Sequence, residues 1–230
     1  MLGTIGLEST VDRADIVAWD DYAVIAADRD HPPTRHLHVG FVAPSREDVD
    51  RFWRAGVAAG YEDAGAAGER TIYRRGYYGA FLLDPDGNSV EAVHHDDTRR
   101  GGNIDHLWIG VRDLGAAEAF YKTISRHTGL RDGRRWKEGV QFLGAWASFS
   151  LVRDGRPPIQ HLHIAFQASD CCTVDQFHAA AIAAGHRDNG GPGERPQYGE
   201  GYYAAFVLDP DGTNVESVRR ASPERASRNR

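Results

Sequence analysis

Apolar and polar positions alternate in two short stretches, HLHVGF at 36–41 and HLHIAF at 161–166, and each predicts a strand. In the second, His161, His163 and Ala165 share one face, and Leu162, Ile164 and Phe166 the other. A helix is predicted next, near 172–184, with Val174, Phe177 and Ile182 on one stripe and Gly185 as its stop. In the earlier stretch Ser45 and Asp48 make a capping-box-like start. Val49, Phe52, Trp53 and Val57 supply its buried face, and Gly60 ends it. YYAAFVL and NVESV then flank Asp209-Pro210-Asp211-Gly212, a tight-turn sequence, so a hairpin is expected. The unit reads as strand, helix, then two or three antiparallel strands.

These stretches are copies of one another. His36/His161, His38/His163, Tyr78/Tyr203, Asp84/Asp209, Gly87/Gly212 and Glu91/Glu216 all lie 125 positions apart. An offset of domain size points to duplication of a domain and not to a solenoid. Between the copies, IDHLWIGV at 104–111 alternates as a further strand, with His106, Trp108 and Gly110 on one face. Asp113 then caps a helix that buries Leu114, Ala117, Phe120, Tyr121 and Ile124 and stops at Gly129. Two or three strands fit between Arg134 and Arg153. Ahead of the first copy, short apolar runs predict strands near 2–8, 14–19 and 22–27.

The division that follows is an incomplete N-terminal domain over 1–97, a linker at 98–103, a complete domain over 104–220 and a disordered tail at 221–230. The N-terminal copy lacks its opening strand and helix.

Composition narrows the class. With 230 residues, 41% of them hydrophobic, the chain can build a real core. A formal net charge of −6 gives no footprint for nucleic acid or a bilayer. No apolar run approaches about 18 residues, and no leader pattern opens the chain, so a cytoplasmic protein is expected. Cys171 and Cys172 are adjacent, which suits a strand-to-helix turn and not a disulfide framework.

IDHLWIGVRDLGAAEAFY, HIAF and GYYAAFVLDPDGTNVESV together resemble the vicinal oxygen chelate superfamily of glyoxalase I, the bleomycin resistance proteins and the extradiol dioxygenases. The resemblance implies an α+β fold of tandem βαβββ modules, whose curled mixed sheets surround a cleft holding a divalent metal. It further implies that the metal ligands are His106, His163 and Glu216, with His38 and Glu91 as a lesser pair in the N-terminal copy. Two imidazoles and a carboxylate suit Fe, Mn, Zn or Ni and leave room for a bidentate substrate. Each residue has a plainer reading: a strand histidine is usually a satisfied structural group, and Glu216 alone would be an ordinary strand residue.

Two departures limit what the resemblance implies about the reaction. Ser150 stands near the place where four-ligand members carry another carboxylate, which favours a three-ligand site. Phe206 stands where the dioxygenases carry a tyrosine. Tyr198 and Tyr203 are the catalytic candidates, with surface loop and sheet packing as their alternatives. The expected function is a metal-dependent enzyme for a small substrate with vicinal oxygens; the alternative is a non-catalytic binding protein of the bleomycin-binding type. Trp108, Trp136 and Trp146 could line such a cleft or fill the core. A small-molecule ligand is the expected partner, and a homodimer is compatible with the resemblance.

Overall fold

The computed structural model describes residues 1–96 and 101–220. The tail expected at 221–230 and residues 98–100 of the expected linker lie outside them. The chain opens with a 3-10 turn over Leu2–Ile5, where a strand was expected, because Gly6 at φ 80° turns the backbone back on itself. Three short strands follow, β1 (Val11–Arg13), β2 (Ile16–Ala18) and β3 (Ala23–Ile25), in a small antiparallel sheet of their own.

Three strand–helix–three-strand units then run in succession. The first is β4 (His38–Val42), α1 (Arg46–Ala58), β5 (Glu62–Glu69), β6 (Tyr78–Leu83) and β7 (Ser89–His94). The second is β8 (Ile104–Gly110), α2 (Leu114–Thr128), β9 (Arg131–Trp136), β10 (Gly139–Leu143) and β11 (Ser148–Val152). The third is β12 (His163–Gln167), α3 (Cys171–Ala183), β13 (Arg187–Glu194), β14 (Tyr203–Leu208) and β15 (Asn214–Arg219).

α1 and α2 begin at the predicted caps Ser45 and Asp113, and α3 begins at Asp170. Ser45 accepts the Asp48 amide, Asp113 that of Ala116, and Asp170 that of Thr173. Phe52, Phe120 and Phe177 are fully buried, one from each helix, in a single core that joins the three units. The Gly-rich stretch 187–198 is an edge strand followed by a 3-10 turn. Its pairing with the neighbouring strand shifts register on either side of Gly190, as at a β-bulge.

The sheets divide the chain differently from the sequence reading. The eight-stranded sheet has the order β5-β6-β7-β4-β8-β11-β10-β9. It runs across the expected linker, because β4 pairs antiparallel with β8. The second unit is therefore joined through its first strand to the first unit. The third unit forms a separate four-stranded sheet, β12-β15-β14-β13, whose β12 is an edge. It packs α3 on α2. Phe120 meets His186 edge-on at 4.7 Å between ring centroids, and the Tyr121 hydroxyl donates to Asp209 at 3.3 Å.

Candidate metal centre

Strand pairing decides which side chains meet. β4 and β7 run parallel with Gly40 opposite Glu91, and β4 and β8 run antiparallel with Gly40 opposite His106. Gly40 thus sits between the carboxylate and the imidazole. Its missing side chain is required, since a Cβ there would strike the His106 imidazole as it stands. His38, two residues earlier, projects from the same face.

Three atoms form a nearly equilateral triangle. His38 Nε2 lies 3.1 Å from His106 Nε2 and 3.1 Å from Glu91 Oε2, and His106 Nε2 lies 3.3 Å from Glu91 Oε2. Among the described residues this is the group of histidine, cysteine and carboxylate donors close enough to hold one ion. An ion about 2.1 Å from its donors separates neighbouring ones by about 3.0 Å in octahedral and about 3.4 Å in tetrahedral geometry. The triangle fits that range, and two imidazoles with one carboxylate fit Fe, Mn, Zn or Ni.

This differs from the ligand set that the resemblance implied. His106 is a member, but its partners are His38 and Glu91, the pair expected to be the lesser one. His163 and Glu216 do not join it. They pair with each other at 2.8 Å in the four-stranded sheet. Tyr203 is turned to the helix side, where its hydroxyl donates to Asp175 on α3 at 2.9 Å, so it has no place at either carboxylate. Tyr198 is exposed and lies beside Tyr202, its ring tilted at 60° to it. The tyrosine that reaches Glu216 is Tyr202, at 2.7 Å. Ser150 lies opposite Trp108 on β8, as Glu91 lies opposite Gly40 on β4, so the fourth ligand place holds a hydroxyl and no carboxylate.

Around the triangle is a ring of buried partners. Tyr77 donates to Glu91 Oε1 at 2.7 Å, and its ring stacks on His95 with centroids 5.8 Å apart. His95 Nε2 meets Asp105 Oδ1 at 3.0 Å, and Asp105 Oδ2 meets His106 Nδ1 at 2.9 Å. Asp105 therefore holds the proton on Nδ1 of His106 and turns the Nε2 lone pair toward the triangle. Ser89 Oγ does the same service at His38 Nδ1, at 3.0 Å. Gly79 makes room for the carboxylate, since a Cβ there would lie 2.5 Å from Glu91 Oε1. Of Tyr77, Asp105, His95 and Ser89, spacing signals Tyr77 alone, whose counterpart 125 residues on is Tyr202. Gly40 could have been found too: the third unit has Ala165 at its place, and only the glycine admits His106 in the pose it takes.

The electrostatics follow from burial and proximity. Burial alone would lower the pKa of His106, but the hydrogen bonds and charges of Asp105 and Glu91 outweigh it and raise it to about 9. His38 moves the other way, lowered by burial despite Glu91. Burial would raise Glu91 and Asp105, yet both are held below the ordinary carboxylate range by their histidine partners. Tyr77 is pushed far up by burial and by the Glu91 charge, so it stays a donor. At neutral pH the site without an ion is thus a buried carboxylate, a protonated His106 and a neutral His38.

A cleft of about 200 Å³ opens beside the triangle, lined by His38, Trp108, Ser89 and Arg156 among others. The Arg156 guanidinium lies over the Trp108 ring at 5.4 Å, and Trp136 is 6.0 Å from Trp108. Trp146, the third candidate for an aromatic wall, is largely exposed.

The family model described as Glyoxalase/Bleomycin resistance protein/Dioxygenase superfamily matches residues 20–92 and 103–217. The chain belongs to that superfamily. An uncharacterized protein from Bacillus subtilis (strain 168), YqjT, is 28% identical over 124 residues, covering 50% of this chain and 97% of its own length. Glyoxalase I from Zea mays shares the fold with a TM-score of 0.57 at 18% identity, over 81% of this chain and 67% of that one. A glyoxalase/bleomycin resistance protein from Albidiferax ferrireducens T118 is 28% identical, over 51% of this chain and 98% of its own, with a TM-score of 0.44. Among the described residues, no helix is long and apolar enough to cross a membrane.

Proposed function

We propose that the chain is a metal-dependent enzyme of this superfamily, acting on a small substrate with two neighbouring oxygens at His38, Glu91 and His106. The observation that carries this reading is the triangle of two Nε2 atoms and one Oε2, with edges of 3.1, 3.1 and 3.3 Å. A divalent ion held there would supply Lewis acidity and open positions for substrate oxygens. The chain's own residues do the rest. Asp105 and Ser89 orient the two imidazoles, and Tyr77 keeps one Glu91 oxygen occupied so that the other faces the histidines. Ser150 in place of a fourth carboxylate leaves that side of the site open to substrate.

Phe81, whose ring centroid is 6.0 Å from that of His38, occupies in the first unit the position of Phe206 in the third. It has no hydroxyl with which to take up a substrate proton, so cleavage of catechols is disfavoured. The aromatic wall of Trp108 and Trp136 supports a second reading, in which the cleft sequesters an aromatic ligand without chemistry. The test is elemental analysis followed by a substrate-class screen with Fe(II), Mn(II), Ni(II) and Zn(II) on the wild type and Glu91→Gln. Activity that needs a metal and falls in the variant is expected. Turnover that survives unchanged in Glu91→Gln would sink the reading. Tight binding of an aromatic ligand with no turnover under any metal would favour sequestration.

A further inference from the structure

The cleft beside the triangle has an apolar body and one fixed charge. Leu37, Trp108, Val152 and Pro157 give it apolar walls, and His38 opens it to the triangle. Its formal charge is that of Arg156, and no carboxylate is among the described residues that line it. On a chain of net charge −6, such a lining selects for an anion. At about 200 Å³ the cleft is also smaller than the about 300–1,000 Å³ of pockets for drug-sized ligands, so its ligand is small.

Arg156 is held in place before any ligand arrives. Its amide donates to Asp154 Oδ1 at 3.2 Å, and its Nε and Nη2 donate to the same carboxylate. The loop that carries it is tied down from two sides. The Ile159 amide donates to the Gly110 carbonyl on β8 at 2.9 Å, and His36 Nδ1 donates to the Pro158 carbonyl at 3.1 Å. Pro157 passes so close to β8 that a Cβ on Gly110 would strike its carbonyl. A cation held this way has little freedom left to lose on binding. Asp154 takes the Nε side of the guanidinium. Among the described residues no protein acceptor meets Nη1, so the edge formed by Nη1 and Nη2 is open to a carboxylate.

The repeat separates this arginine from the others. Arg70 lies over Phe81 at 5.5 Å, and Arg195 lies over Phe206 at 5.5 Å in the third unit. That cation recurs beside the His163–Glu216 pair, which no third donor joins, so it belongs to the unit and not to the completed triangle. Arg156 has no such copy, since His31 stands 125 residues earlier. Its position also sets a length. Trp108, which it covers, lies two residues along β8 from His106 on the same face, about 6.6 Å at the ordinary strand rise. A ligand that chelates an ion at the triangle and lies along the cleft meets Arg156 with a group several bonds from its chelating oxygens.

We propose that Arg156 anchors a carboxylate of the substrate, and that the substrate is a small acid with its two neighbouring oxygens at one end, a flat or apolar middle and the carboxylate at the other. This assignment rests on the metal-dependent reading of the triangle, which fixes the chelated end.

The test is calorimetric titration of the zinc-loaded full chain with 3,4-dihydroxybenzoate and with its methyl ester, which share the vicinal oxygens and differ in the far carboxylate. The acid is expected to bind the wild type about tenfold or more tighter, as a charge-assisted pair should. Arg156→Gln should remove that difference, chiefly by weakening the acid, and Arg156→Lys should keep part of it, with zinc content per chain retained in both. A zinc-loaded wild type that binds acid and ester alike, or does not bind the acid, overturns the proposal and leaves the metal reading standing. So does a preference for the acid that persists in Arg156→Gln. A preference that is lost in Arg156→Gln but needs no zinc would support the anchor and overturn the chelation instead.

Discussion

The first and third units carry one motif in two settings, and the contrast shows what completes the three-donor group in the first. Both have a buried glutamate on the last strand, a tyrosine hydroxyl on one of its oxygens and a strand histidine on the other. In the first unit β8 adds His106, and behind it Asp105 and His95. The group becomes a closed buried array in which charges shift one another's protonation. In the third unit no strand among the described residues pairs beyond His163, and the histidine remains half in water. The same residues thus make a preorganised donor set in one place and half of one in the other, and the difference is a single covering strand. Glycine marks it: Gly40 and Gly79 sit where Ala165 and Ala204 sit in the third unit, 125 residues on. A Cβ at either glycine would strike His106 or Glu91 as they stand.

Removing a ligand should separate the two settings most. Glu91→Gln keeps the shape and deletes the anion, and should lower metal affinity of the chain's own site by more than the about 10–100-fold typical of supporting partners. Glu216→Gln should leave that site's affinity unchanged by calorimetric titration. Equal losses in the two variants would mean that the sites are coupled.

Asp105→Asn comes next. The amide can no longer hold the His106 tautomer as an anion does, so a loss of about 10–100-fold in metal affinity is expected. Fold, read by circular dichroism, should be retained. An unchanged affinity would show that the triangle orients itself without its outer ring.

Gly40→Ala tests the packing side of the comparison. The added methyl should displace His106 and cost about 1–3 kcal/mol in urea unfolding. Ala165→Gly, at the matching exposed place, should cost less than about 1 kcal/mol. Similar costs at the two positions would deny that β8 is what makes Gly40 necessary.

The smallest expected effect is a pH dependence of the metal-free protein. His106 titrates near 9 when folded and near its ordinary value when unfolded. Its contribution is complete below about 6.5 and is lost as pH rises through about 9. His38, lowered by burial, acts in the opposite sense and only below its ordinary value. Melting temperature without metal should therefore fall between about pH 6.5 and 9. With metal the trend should weaken or reverse, because ligation requires His106 to lose that proton. A flat profile in His106→Gln would assign the slope to this residue; an unchanged slope would assign it elsewhere.

Local signals determined much of this protein by themselves. The alternation of HLHVGF and HLHIAF, the caps at Ser45 and Asp113, and the turns after Asp84 and Asp209 depend on neighbouring residues alone, so the units could be read in order. The residue types of the site were readable too, and each of the five expected donors meets another: His38, Glu91 and His106 in one group, and His163 with Glu216 in a second. Which of them share one site was decided only in three dimensions. Strand pairing is a long-range choice between edges of nearly equal sequence, and β8 could in principle be offered to β4 or to β12. The ring of Tyr77, His95 and Asp105 exists only because that choice brings residues 77, 95 and 105 to one side of one sheet. No local period encodes such a meeting, since the free energy that selects it lies in burying Glu91, His38 and His106 together, with every polar atom of the triangle partnered.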